Sequence, residues 1–160
     1  MARILLLGGG CRGRLLAAGL VRDGHAVRIT TRHEATMEAI EAAGAEGWIG
    51  TPDRLATLRG ALDGVTVACW LFATARGTPE QLAELHGRRL EFFLTQAIDT
   101  TVRGILYETG TSQELAAGEQ LARRLTVLNQ IPLACVHEEA GDGRAWTEAA
   151  RRSIDSLLGL

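Results

Sequence analysis

Gly8, Gly10 and Gly13 stand at G-x-G-x-x-G spacing between an apolar run, Arg3–Leu7, and an amphipathic segment from about Gly13 to Arg22. In a strand–turn–helix context each glycine has its own reason. The first permits the tight turn, the second lets backbone approach a diphosphate, and the third lets helix and strand pack closely. The chemistry on offer is anion binding, because a helix start presents free N–H groups and the positive end of aligned peptide dipoles. Cys11 and Arg12 lie inside the turn. A thiol beside a helix start can be activated, but a small residue is also simply what fits beside a phosphate, and that account suffices for Cys11.

A dinucleotide turn is usually followed, about 20 residues on, by an acidic residue that accepts both ribose hydroxyls. Here that place falls on Thr30, Thr31 and Arg32, none of them acidic. A guanidinium matches phosphate with two parallel hydrogen bonds, so Arg32, helped by Thr31 and by Arg12, suits a 2′-phosphate. The expected cofactor is therefore NADP(H), with NAD(H) the alternative. Plain solvated arginines are the competing account of Arg32 and Arg12.

Other constellations carry less. All 17 basic residues are arginine, so lysine chemistry is excluded within these 160 residues. His137-Glu138-Glu139 with Asp142 reads as an acidic loop, since adjacent glutamates cannot converge on one centre and a second histidine at ligand spacing is missing; no metal is expected. His86, Arg88, Arg89 and Glu91 read as the charged face of a helix, with His86 and Arg89 facing a cleft or a second subunit as the alternative. Phe92 and Phe93 are adjacent and cannot share one core stripe, which hints at a second buried surface such as a homodimer contact. Cys11, Cys69 and Cys135 form neither a disulfide framework nor a zinc spacing, which fits a reducing cytoplasm. A net charge of −2 favours neither nucleic acid nor an anionic membrane, and no signal peptide or spanning segment is expected.

The elements that must position these residues alternate from end to end. Strands are expected at Arg3–Leu7, Ala26–Thr31, Glu46–Ile49, Val65–Phe72, Gly104–Glu108 and Leu133–His137, with helices over Gly13–Arg22, Glu34–Ala43, Asp53–Leu62, Pro79–Asp99, Ser112–Leu125 and Arg144–Leu158. This pattern predicts one α/β domain over residues 1–160, a three-layer, doubly wound parallel sheet of Rossmann type in the order 3-2-1-4-5-6.

At Leu7-Gly8-Gly9-Gly10-Cys11-Arg12-Gly13-Arg14 the chain resembles the short-chain dehydrogenase/reductase superfamily, in particular its extended and atypical NAD(P)-binding branches related to nucleotide-sugar epimerases. The run VTVACWLFATA looks like the family strand that ends beside the nicotinamide ribose, which implies a cofactor role for Phe72, Ala73 and Thr74. The segment from Leu85 to Ser112 resembles the helix, turn and strand leading to the family's catalytic serine or threonine, which makes Thr109 a weak catalytic candidate; Thr111 and Ser112 also fit as helix caps. The family's Tyr-x-x-x-Lys pair has no counterpart, because Tyr107 is the only tyrosine, Thr111 follows it by four, and lysine is absent. Tyr107 reads as a packed core residue. The larger family members continue into a substrate-binding region, so a pocket here is expected from the loops Ala73–Thr78, Thr109–Ser112 and Glu138–Gly143. The functional expectation is an NADP(H)-binding module, cofactor-holding or redox-sensing, with an oxidoreductase of non-standard site as the alternative. Methyl transfer from S-adenosylmethionine is disfavoured, since such sites also want an acidic ribose partner.

Overall fold

The computed structural model describes residues 1–138 and 143–160. Six strands form one parallel sheet: β1 Arg3–Gly8, β2 Ala26–Thr31, β3 Glu46–Ile49, β4 Val67–Leu71, β5 Gly104–Thr109 and β6 Leu133–His137. Their spatial order is β3-β2-β1-β4-β5-β6, the doubly wound arrangement expected from the alternation of elements. The order reverses between β1 and β4, and a crevice opens there beyond the strands' carboxyl ends.

Strand periodicity sorts the core into two layers. Leu5, Leu7, Ala68, Trp70, Ile105 and Tyr107 point to one face, where they meet Leu90, Phe93 and Leu94 of α5 (Leu90–Ile98) and Leu115 and Ala122 of α6 (Gln113–Leu128). Ile4, Leu6, Val67, Cys69, Leu71 and Leu106 point to the other, against Leu16 and Leu20 of α1 (Gly10–Arg22) and Trp146, Ala150 and Ile154 of α7 (Gly143–Leu158). Phe93 is buried and its neighbour Phe92 is 53% exposed, as two adjacent helical positions must divide.

Several element bounds differ from expectation for local reasons. Helix α1 starts at Gly10, because Gly8 and Gly9 complete the turn by themselves with φ of 80° and 90°. The expected Asp53–Leu62 helix shrinks to α3 (Ala56–Arg59) and a following 3₁₀ turn, since Arg54 N–H closes a turn onto Thr51 and the Thr57 hydroxyl bonds the Thr51 and Arg54 carbonyls. Residues Glu34–Thr36 are 3₁₀ and lead into α2 (Met37–Ala42). The long segment after Pro79 is interrupted: α4 (Pro79–Glu84) passes through one π-helical turn, Leu85–Arg89, before α5. Thr78 caps α4 with a reciprocal bond to Gln81, and Ser112 caps α6 by accepting from Leu115 N–H. Among the described residues, no helix is long and apolar enough to cross a membrane.

Candidate functional site

The glycine turn is fixed to the sheet from two sides. Gly9 N–H donates to the Leu71 carbonyl of β4 at 2.8 Å, and Gly13 N–H donates to the Gly9 carbonyl at 3.0 Å. A Cβ on Gly13 would lie 3.0 Å from the Gly8 carbonyl oxygen, so the glycine lets α1 sit directly over the end of β1. No side chain caps α1, and no acidic residue occupies its first turn. Free donors and an uncompensated dipole end therefore face the crevice.

Two adjoining cavities lie on the β2–β3 side of this turn. The larger, about 190 Å³, is bounded by Gly8, Gly10, Arg14, Thr31, Arg32 and Thr51. The second, about 160 Å³, shares Arg32, Pro52 and Phe72 with it and continues over Arg76 and Leu82. Arg32 reaches Thr51 Oγ1 at 3.4 Å and Asp53 Oδ2 at 3.3 Å, and both ionic partners are more than half exposed. Such a pair contributes little to stability, and an anion of higher charge can displace it. Thr31 Oγ1 is 2.9 Å from Thr36 Oγ1. Cys11 is exposed, with its sulfur 3.2 Å from Arg14 Nη2.

Arg12 is not part of this group. It was expected beside Arg32, but its guanidinium extends the other way, where Nη2 meets Glu108 Oε2 at 2.7 Å and Nη1 donates to the Glu138 carbonyl at 3.1 Å. It also lies 4.4 Å from the centroid of the Trp146 ring. A buried carboxylate and an aromatic face outcompete the solvent-facing side for a cation. The arginine that does line the cavity beside Arg32 is Arg14, two positions further on and therefore on another face of α1.

Glu108 was not singled out from the sequence, and it organises the far side of the crevice. It is fully buried, and its Oε1 accepts from Ala73 N–H at 3.0 Å while Oε2 holds Arg12. One carboxylate thus ties the turn after β4 to the glycine turn. Burial pushes its pKa above the ordinary glutamate range, and Arg12 and the Ala73 amide offset that only in part. The sequence signal was present, a lone carboxylate directly after the apolar run Gly104–Tyr107, where an ionised group requires a partner.

Phe72 lines both cavities, and Thr74 is exposed in the turn beyond Ala73. Thr109 is 8% exposed, and its hydroxyl helps to hold the Glu119 carboxyl of α6 below its ordinary range. The acidic loop contributes Glu138; Glu139 and Asp142 lie outside the described residues.

His86 also departs from expectation. It is 3% exposed, carried inward by the π-helical turn. Its Nε2 lies 3.2 Å from the Phe72 carbonyl and its Nδ1 lies 2.8 Å from the Tyr107 hydroxyl. A carbonyl can only accept, so Nε2 carries the proton and Nδ1 accepts from Tyr107. Burial lowers the His86 pKa and raises that of Tyr107, so both are neutral near neutral pH. Gly118 of α6 has no Cβ because one would collide with the Tyr107 hydroxyl. Tyr107→Phe is expected to leave His86 Nδ1 buried without a donor and to cost about 1–3 kcal/mol in urea unfolding; wild-type stability would mean that water serves the nitrogen instead.

Comparison with known proteins places the chain by fold. No protein-family model matches it, and no curated protein is significantly similar in sequence. Solved structures do match. An epimerase from the methanogen Methanothermobacter thermautotrophicus superposes with a TM-score of 0.71 at 18% identity, covering 84% of this chain and 50% of that one. The NAD complex of UDP-glucuronic acid 4-epimerase from Bacillus cereus gives 0.68 at 14% identity, covering 84% and 55%. Triphenylmethane reductase from a Citrobacter species, solved with NADP(H), gives 0.65 at 17% identity, covering 84% and 48%. What they share with this chain is the fold, a doubly wound parallel sheet with helices on both faces. The chain spans about half the length of these structures.

Proposed function

We propose that the chain binds NADP(H) in the crevice over the glycine turn. The observation that carries this reading is the basic cavity joined to an uncapped helix start: Gly8 and Gly10 border the same space as Arg14, Thr31 and Arg32, and among the described residues no acidic side chain bounds it. Backbone N–H groups at the start of α1 hold the diphosphate. Arg32 and Arg14 take the 2′-phosphate, with the Thr31 hydroxyl beside them. The adjoining cavity, walled by Pro52, Phe72 and Leu82, suits a flat aromatic base. A bound nicotinamide cofactor supplies hydride chemistry, and the chain's residues supply binding and orientation. Two roles follow from that binding, a redox-sensing module or an oxidoreductase. A further cavity beyond Ala73, on the other side of the turn after β4, favours the oxidoreductase.

Calorimetric titration tests the cofactor. Arg32→Glu is expected to weaken NADPH binding at least about tenfold more than NADH binding, the loss of roughly one charge-assisted hydrogen bond to phosphate. Equal losses for both cofactors would remove the 2′-phosphate from Arg32.

A further inference from the structure

The third cavity, of about 140 Å³, lies at the carboxyl ends of β4, β5 and β6, between the turn after β4 and the start of α6. Ala73, Ala75 and Leu82 give it an apolar wall, and His86, Glu114 and Glu138 give it polar corners. Among the described residues, no arginine lines it. Glu138 lies over the turn at Gly110, in space that a Cβ at that position would fill. The same peptide that separates this cavity from the cofactor crevice is held on both sides: Ala73 N–H by Glu108, and the Phe72 carbonyl by His86. The wall between the two spaces is therefore fixed in place.

The charge of the lining selects the ligand. Two carboxylates at the corners of a cavity whose described lining holds no arginine favour a positive molecule and disfavour an anion. The neutral His86 adds no opposing charge. The one tyrosine, Tyr107, is buried and its hydroxyl is committed to His86, so it delivers no proton to this space.

We propose that this cavity is the substrate site and takes a small organic cation, a protonated imine or the corresponding amine; the redox part of this rests on the NADP(H) reading above. The chemistry matches what the chain lacks. Reduction of a ketone forms an alkoxide and needs a proton donor at oxygen. When hydride adds to the carbon of a C=N⁺ bond, the π electron pair moves to nitrogen and the product is a neutral amine, so no proton crosses in that step. Glu114 and Glu138 stabilise the cation and orient it, and the amine takes its proton afterwards from water.

The test uses the whole chain, with pyrrolidinium chloride as the cationic probe and cyclopentanone as its neutral counterpart of like size, followed by backbone-amide NMR with and without NADPH. Pyrrolidinium is expected to shift the amides of Ala75 and Leu115, and Glu114→Gln with Glu138→Gln is expected to weaken it about tenfold, with amides remote from the cavity unmoved. With NADPH present, pyrroline is expected to be reduced and cyclopentanone is not. Equal responses to both probes, or no response to pyrrolidinium while NADPH still binds, would overturn the cation site. Pyrrolidinium binding by a protein that does not bind NADPH would overturn the hydride step together with the cofactor reading.

Discussion

Glu108→Ala is expected to destabilise the chain by about 3 kcal/mol, the lower end of what is lost when one partner of a buried ion pair is removed. The carboxylate serves two donors at once, the Ala73 amide at 3.0 Å and the Arg12 guanidinium at 2.7 Å, and alanine leaves both without an acceptor. The lower end applies because the Arg12 side chain is 21% exposed and can turn toward water. Urea unfolding reads the loss directly, and a change under about 1 kcal/mol would mean that water replaces both bonds. The turn after β4 loses its anchor to β5 in the same variant, so NADPH affinity is expected to fall with stability.

The same residue sets a pH dependence with a definite sign. Burial raises the Glu108 pKa in the folded state, so between the unfolded value of about 4.3 and the folded value the native chain holds more protons than the unfolded one. Stability from this group is then fullest below the unfolded pKa and declines as pH rises through the folded pKa. Glu108→Gln cannot titrate, so the advantage of wild type over this variant should shrink from acid toward neutral pH. An advantage that grows instead would show that the Arg12 pair outweighs the cost of burying the charge.

What the sequence revealed of this arrangement divides by the distance over which each feature is determined. Strands β2, β3 and β6 keep their expected bounds because short apolar runs next to Gly24, Gly44, Gly50 and Pro132 define them locally. The strand order follows from the βαβ alternation, given that such crossovers are right-handed. The orientation of Arg12 is different. It is decided by Glu108, 96 residues on, and by the Trp146 ring of α7, and no local pattern distinguishes it from Arg14. The burial of His86 likewise depends on a π-helical turn whose inward residue is satisfied by Tyr107, 21 positions away. Local chemistry identified the turn and the second strand's basic end; tertiary pairing assigned the two arginines to opposite sides of the crevice.

Gly8 and Gly10 are expected to fail in different ways when each is replaced by alanine, and the contrast separates a structural glycine from a binding one. Both have positive φ, 80° and 56°, so each substitution carries a left-handed backbone cost of about 1–2 kcal/mol. At Gly8 a Cβ would lie 2.6 Å from Phe72 Cε1 and 2.7 Å from the Leu71 carbonyl oxygen. The ring can rotate away, but the carbonyl belongs to β4 and already accepts from Gly9 N–H, so the turn must move off the sheet. Overpacking of this kind adds about 1–3 kcal/mol, so Gly8→Ala should be the more destabilised and should lose NADPH binding with its fold. At Gly10 the Cβ meets nothing within 4 Å and extends into the space bordering the basic cavity. Gly10→Ala should therefore keep its stability to within the backbone cost and still bind NADPH at least about tenfold more weakly, because the methyl group keeps the diphosphate from the amides of α1. Unfolding curves and NADPH titrations on the two variants read these outcomes side by side. A Gly10→Ala protein that binds NADPH as tightly as wild type would place the diphosphate elsewhere than on this turn.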